Sequence, residues 1–226
     1  MSGVGTLNEK SLHAQLKQWY SEPGDQFEVP LDGYIIDMVR GDQLIEIQTR
    51  NFSAMRSKLD RLTEDYAVTV VHPIAITKWL NKLGEPPTKP RRSPKRGHIF
   101  DVFGEVVYLP HLINRPNLTI EVVLIEEQED RAFDAKKERR RRRGWVTQER
   151  RLLRVLETHR FESVGDFVGL LPVLPGEFTT ADLADRASVS RRSAQQAAYC
   201  LRKMDALTIT GKQGNATVYK IVPDPA

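Results

Sequence analysis

Two acidic side chains, Asp37 and Glu46, are separated by eight residues, and Gly41-Asp42 stands midway between them. Tyr34–Val39 and Leu44–Thr49 are short runs rich in β-branched and apolar residues, which predicts two strands joined by a two-residue Gly-Asp hairpin turn. Folding about that turn pairs position 40 with 43 and therefore Asp37 with Glu46. Directly opposed strand residues share a face, as do Glu46 and Gln48 two apart, so Asp37, Glu46 and Gln48 are expected to converge. Opposed Cβ atoms lie roughly 5 Å apart, and carboxylates that close repel unless a proton or cation sits between them. A divalent ion, Mg²⁺ or Mn²⁺, held by Asp37 and Glu46 is the expected solution. The alternative is a pair of solvated acids beside a turn. Against it, Ile36, Leu44, Ile45 and Ile47 flank both acids, and a buried acid is costly without a partner.

The elements needed to position this pair can be read on either side. Asn8–Tyr20 predicts a helix, Phe52–Asp65 a second helix directly after the third strand, and Ala67–Pro73 an apolar strand that completes a β-α-β continuation. Over about residues 8–80 this arrangement resembles the PD-(D/E)XK nuclease superfamily, whose fold is restriction-endonuclease-like. The resemblance implies that Asp37 is the acid closing the second strand and that Glu46-Ile47-Gln48 is the acidic-x-Lys element of the third. Together they would bind Mg²⁺ and activate water for phosphodiester hydrolysis. Gln48 departs from the usual lysine and supplies no positive charge; Lys58, on the second helix, is the expected substitute. Ile36 stands where the family has proline. A further acid from the first helix is common in the family, and Glu9 is the candidate, with Glu28 on the first strand as its rival.

Composition sets outer limits. The chain has 226 residues, 40% of them hydrophobic, and one cysteine, Cys200. That is enough to bury a core in one or two domains, and a lone cysteine supplies neither a disulfide framework nor a zinc cluster. No apolar run is long enough to span a bilayer and no signal pattern opens the chain, so the expectation is a soluble, cytoplasmic protein with no membrane partner. The five histidines fall in separate segments and do not mark zinc, and neither a glycine-rich phosphate loop nor a nucleophile elbow is present. Charge is unevenly placed. Residues 1–85 carry 9 Lys/Arg against 12 Asp/Glu, whereas 86–226 carry 25 against 18. An acidic metal site in one part and a phosphate-gripping surface in the other would give this asymmetry.

The stretch Gly84–Gly97 is rich in proline and basic residues and is expected to be an extended connector whose Arg91, Arg92, Lys95 and Arg96 lie along a nucleic-acid backbone. Ile99–Leu109 and Leu118–Ile125 are expected to be strands, or a strand plus a helix, that widen the first sheet. A charged helix is predicted from Glu126 to Arg143, with the acids Glu126–Asp130 at its start and the basic run Lys136–Arg143 serving as a nucleic-acid arm. Beyond Trp145 the pattern resembles a winged helix-turn-helix domain. Thr147–His159 predicts a helix with an apolar stripe of Leu152, Leu153, Val155 and Leu156. Thr179 with Asp182 reads as a capping box, Ser188-Val189-Ser190 as the turn, and Ser190–Met204 as a helix burying Ala194, Ala197, Leu201 and Met204. Its outward residues, Arg191, Arg192, Gln195, Gln196, Tyr199 and Arg202, suit DNA. Leu207–Ile221 reads as the hairpin wing, with Lys212 at its tip. The three tryptophans, Trp19, Trp79 and Trp145, are expected to be packing residues.

The sequence therefore predicts an α/β protein: a restriction-endonuclease-like mixed sheet with flanking helices over 1–84, a basic extension over 85–144, and a smaller winged-helix domain over 145–226. The expected activity is Mg²⁺-dependent DNA hydrolysis. A catalytically inactive DNA-binding regulator or structure sensor is the alternative, and a homodimer is compatible with either.

Overall fold

The computed structural model describes residues 11–84, 88–135 and 144–223. Helix α1 (Ser11–Tyr20) places Leu12 and Leu16 one turn apart and buries both. Strands β1 (Gln26–Leu31), β2 (Tyr34–Arg40) and β3 (Gln43–Ile47) form an antiparallel meander. Gly41 adopts the left-handed φ of 57° that the tight turn requires. The register that follows is Arg40 with Gln43, Val39 with Leu44 and Met38 with Ile45, which sets Asp37 against Glu46. A 3-10 turn (Phe52–Met55) and α2 (Arg56–Asp65) carry the chain to β4 (Ala67–Lys82), parallel to β3.

After β4 the basic connector does not run free. It folds back as β5 (Arg91–Arg92), which pairs with Trp79 and Leu80. Beyond it come a 3-10 turn (Ile99–Val102) and α3 (Phe103–Val106), then β6 (Leu118–Phe133), parallel to β4, and β7 (Trp145–Phe161), antiparallel to β6. The mixed sheet has the order β1-β2-β3-β4-β6-β7, with β5 beside the far end of β4. Leu118–Ile125 thus widens the sheet as the sequence predicts, while Ile99–Val106 is helical.

Each face of the sheet carries its own apolar layer. Ile36, Leu44, Val68, Val70, Ile120 and Val122 pack under α2 and α3, whereas Met38, Ile45, Ile47, Val71, Val123 and Ile125 meet Leu12 and Leu16 of α1. Ile36 and Met38 are two apart yet belong to opposite layers, so β2 breaks its alternation at Asp37.

Two predicted helices are strands. Glu126–Phe133 continues β6, and Thr147–His159 lies within β7. Basic run Lys136–Arg143 lies outside the described residues. The acids Glu127, Glu129 and Asp130 are buried, and cations on neighbouring strands compensate them. Lys78 on β4 reaches Glu127 at 2.7 Å and Glu129 at 3.3 Å, and Arg150 and Arg151 on β7 reach Glu127 and Asp130 at 2.7 and 2.6 Å. Helix propensity favours such a charged stretch as helix, but opposite charges facing across strands decide otherwise. Leu153 and Leu156, expected in an apolar stripe, are instead the extra residues of two β-bulges and are exposed. Trp19 is also exposed rather than packed.

The remainder comprises α4 (Val164–Val168), β8 (Phe178–Thr179), α5 (Thr180–Arg186), α6 (Arg191–Lys203), β9 (Leu207–Gln213) and β10 (Ala216–Ile221), with a small sheet in the order β8-β10-β9. The Thr179–Asp182 capping box and the Ser190 cap form as predicted, and Ala194, Ala197, Leu201 and Met204 are buried. The main sheet extends to Phe161, so it runs across the boundary expected at residue 145. Phe161 stacks on Phe167 with ring centroids 4.5 Å apart, and Phe103, Phe178 and Leu201 share one apolar cluster.

The connector is held tightly. Gly97 N–H donates to Ala75 O at 2.8 Å, and a Cβ at Gly97 would stand 2.7 Å from both that oxygen and Ile74 Cγ2. Gly97→Ala is therefore expected to destabilise the fold by about 1–3 kcal/mol. A lowered urea midpoint would show it, and an unchanged midpoint would contradict the packing.

Candidate active site

The site is built where β2 leaves β3. Gln48 N–H donates to Val71 O of β4 at 2.8 Å, and alternation along the strand turns the neighbouring Ile47 N–H the other way, toward β2. Strand pairing has ended there. The Asp37 carboxylate takes the place of a backbone acceptor and receives the Ile47 N–H at 2.8 Å. On β1, Phe27 faces Met38 and Val29 faces Ile36, which sets Glu28 opposite Asp37; Glu28 has a left-handed φ of 52°. Glu28, Asp37 and Glu46 thus form an acidic row across three strands.

Cations approach this row from both helical layers. From α1, His13 Nε2 lies 3.1 Å from Asp37 Oδ2, and Lys17 Nζ lies 3.7 Å from Asp37 Oδ1 and pairs with Glu28. From α2, the Lys58 ammonium lies 2.5 Å from Glu46 Oε1 and donates to Ile35 O at 2.6 Å. Asp37 therefore turns to the α1 layer and Glu46 to the α2 layer, with the break in β2 between them. Burial would raise the Asp37 pKa, but His13, the Ile47 amide and Lys17 outweigh it and hold the carboxyl below its usual range. Glu46 goes the other way. Burial, and then the negative charge of Asp37, push its pKa up to about 7, with Lys58 offsetting only part of the rise.

Sequence reasoning located Asp37, Glu46, Lys58 and the rival Glu28, but the expected shared face is not kept: the break in β2 sets Asp37 and Glu28 with the cations of α1 and Glu46 with Lys58 of α2, and the Asp37 carboxylate reaches Glu46 only through its charge. Sequence reasoning missed His13 and Lys17, although their i, i+4 spacing on the first helix was a usable signal. Gln48 behaves differently from expectation. Its side-chain amide donates to Asn51 O at 3.2 Å, and its backbone carbonyl oxygen meets His72 Nδ1 at 2.7 Å, so its described side-chain contact is not with either acid. Glu9 lies outside the described residues. Among the described residues no group of three or more His, Cys, Asp or Glu side chains is arranged to hold a metal. Magnesium commonly binds only one or two protein carboxylates and completes its shell with water and substrate phosphate.

The basic residues expected to meet DNA lie elsewhere. On α6, Arg191, Arg192, Gln195 and Tyr199 are exposed, while Arg202 and Gln196 are half-buried, the latter with its amide against Gly104. Lys212 is exposed on β9 beside the hairpin turn. Arg91 and Arg92 are exposed on β5, where Arg92 donates to Thr77 Oγ1 at 3.0 Å, and Lys95 and Arg96 are exposed on the connector. Cys200 is buried, and desolvation pushes its thiol pKa up to about 12, in keeping with a packing role.

Glu46 leaves a signature on stability. It ionises near 4.5 when unfolded and near 7 in the fold. Between those values the folded state binds more protons, so stability falls as pH rises through that window, by up to roughly 3 kcal/mol. Urea denaturation across pH 5–8 should show Glu46→Gln losing less stability than wild type. Parallel profiles for the two proteins would contradict the assignment.

Residues 10–162 match the model of a domain of unknown function, DUF8091. The span opens just before α1 and ends one residue past β7, so it coincides with the large sheet and its helices. An uncharacterized protein of Treponema pallidum (strain Nichols) is 29% identical over 224 residues, covering 97% of this chain and 88% of its own. No solved structure matches. With the family model covering well over half of its length, the chain belongs to the DUF8091 family.

Proposed function

We propose that this protein is a metal-dependent phosphodiester hydrolase acting on DNA, with a PD-(D/E)XK-like core and a C-terminal winged helix. The observation that carries this reading is the acidic pair Asp37 and Glu46 at the split between β2 and β3, with the Glu46 pKa raised to about 7 and a lysine beside it. Glu46 is a buried acid left short of positive charge beside the ionised Asp37, an environment that a dication would relieve. The helix, three-stranded meander, helix and parallel fourth strand that surround it are the order the resemblance implies. Asp37 and Glu46 would hold the ion. When bound, Mg²⁺ would polarise the scissile phosphate and offset the charge that develops on it.

The chain's own residues supply the rest. Lys58 replaces the absent motif lysine from a different element, and its ammonium, anchored by Ile35 O, stands ready to stabilise developing negative charge. His13 and Lys17 fix the orientation of Asp37 from behind. α5, the turn at Ser188 and α6 with the β9–β10 hairpin would bring DNA to this core through Arg191, Arg192, Gln195 and Tyr199. One observation favours a second reading, a non-cleaving DNA binder: Gln48 is spent on Asn51 rather than on the acids.

The test is incubation of plasmid and branched DNA with the protein and Mg²⁺ or Mn²⁺. Wild type should nick or cut, Asp37→Ala and Glu46→Ala should lose at least about a hundredfold in rate, and Lys58→Ala about tenfold or more. DNA shifted on a gel but left intact by wild type on every substrate would overturn the hydrolase and leave the binder.

A further inference from the structure

A second polar feature lies on the connector side of the sheet. A cleft of about 320 Å³ opens between the middle of β4, the connector and the start of α3. Lys78, Lys95, Arg96 and Arg150 line it, together with Asp101 and Glu105. The two carboxylates are already engaged by backbone: Asp101 accepts from His98 N and Glu105 from Phe52 N. At the floor, Lys78 and Arg150 are fixed by buried Glu127, which holds them in place and offsets their charge. Lys95 and Arg96 differ. Both are exposed, and their side chains make no ion pair among the described residues.

The backbone that carries these two cations is rigidly placed. Ser93 N donates to Lys78 O at 2.7 Å and Gly97 N to Ala75 O at 2.8 Å, so both ends of the segment are tied to β4. A flexible tether would let Lys95 and Arg96 drift into solvent; this one keeps them at the cleft's rim. Four cations, Lys78, Lys95, Arg96 and Arg150, against Asp101, Glu105 and the buried Glu127 leave the cleft with a positive balance, and the two cations unpaired among the described residues lie at the rim, which suits a phosphate.

We infer that this cleft is a phosphate subsite for a nucleic-acid strand, engaged by Lys95 and Arg96 from the rim and by Arg150 and Lys78 from the floor. The inference rests on the nucleic-acid reading above and adds a second place where the strand is gripped, outside the acidic row and outside α6. The phosphate can come from the strand's interior or from its end.

Fluorescence anisotropy with labelled single-stranded oligonucleotides, bearing either a 5′-phosphate or a 5′-hydroxyl, tests it on the full chain in EDTA, where cleavage plays no part. Lys95→Ala/Arg96→Ala should weaken binding at least tenfold at low salt and lower the log–log salt slope by about 1.4, the value for two single-strand phosphates. Its melting temperature should be unchanged. Arg154→Ala/Arg160→Ala, which removes the same formal charge from β7, should bind within twofold of wild type. Equal loss for both oligonucleotides assigns the subsite to internal phosphates; loss confined to the 5′-phosphorylated strand assigns it to the end. If the rim variant binds like wild type, or if the control loses as much, the subsite is wrong while DNA binding stands. If wild type binds neither strand, the nucleic-acid reading fails with it.

Discussion

The arrangement depends on one substitution of side chain for backbone. Ile47 N–H faces a strand that has already turned away, and the Asp37 carboxylate fills the position that a carbonyl oxygen would have taken. A buried N–H without an acceptor costs about as much as a lost hydrogen bond, so this contact stabilises the parting of β2 from β3. The parting in turn opens room for Glu46 and for the cations of α1 and α2. Without it, β2 would continue its alternation and Asp37 would be one more residue on a packed face.

Charge balance follows the same logic at two places in the sheet with opposite results. At the far ends of β4, β6 and β7, acids on the central strand meet lysine and arginine on both sides. Burial would raise the pKa of Glu129, yet Arg131, Thr147 and Lys78 outweigh it and bring it down to about 2. Among the described residues that network gives each of its buried acids a cation. At the β2–β3 split the balance is incomplete, because Asp37 is met by His13 and Lys17 of α1 while, among the described residues, Lys58 is the cation paired with Glu46. Perturbed acids that structure leaves undercompensated are where function is to be sought.

Much of the core was legible because its signals are local. Gly41-Asp42 set a turn and the turn set a register through Met38 and Ile45, but the break in β2 that turns Asp37 to the opposite layer from Glu46 has no local signal. The caps at Thr179 and Ser190, like the turn, were local. What escaped was set by partners distant in sequence. Glu126–Asp130 looks like a helix start until Arg150 and Arg151 are known to lie across from it, and Thr147–His159 has enough leucine spacing to pass for an amphipathic helix. His13 and Lys17 escaped for the related reason that nothing near them in sequence shows that α1 lies over Asp37. The connector looked extended because proline and charge dominate it, while the contacts that pin it, Gly97 to Ala75 and Ser93 to Lys78, involve backbone groups that composition does not reveal.

The central claim is that Asp37 and Glu46 share one cation. Calorimetric titration of Mn²⁺ into the full chain at pH 6.5, in two buffers of different ionisation heat, addresses it directly. With the Glu46 pKa pushed up to about 7, binding should release part of a proton, and both the site and the proton release should vanish in Asp37→Asn and in Glu46→Gln. Binding that survives either substitution, or an absence of binding heat in wild type, would contradict the account.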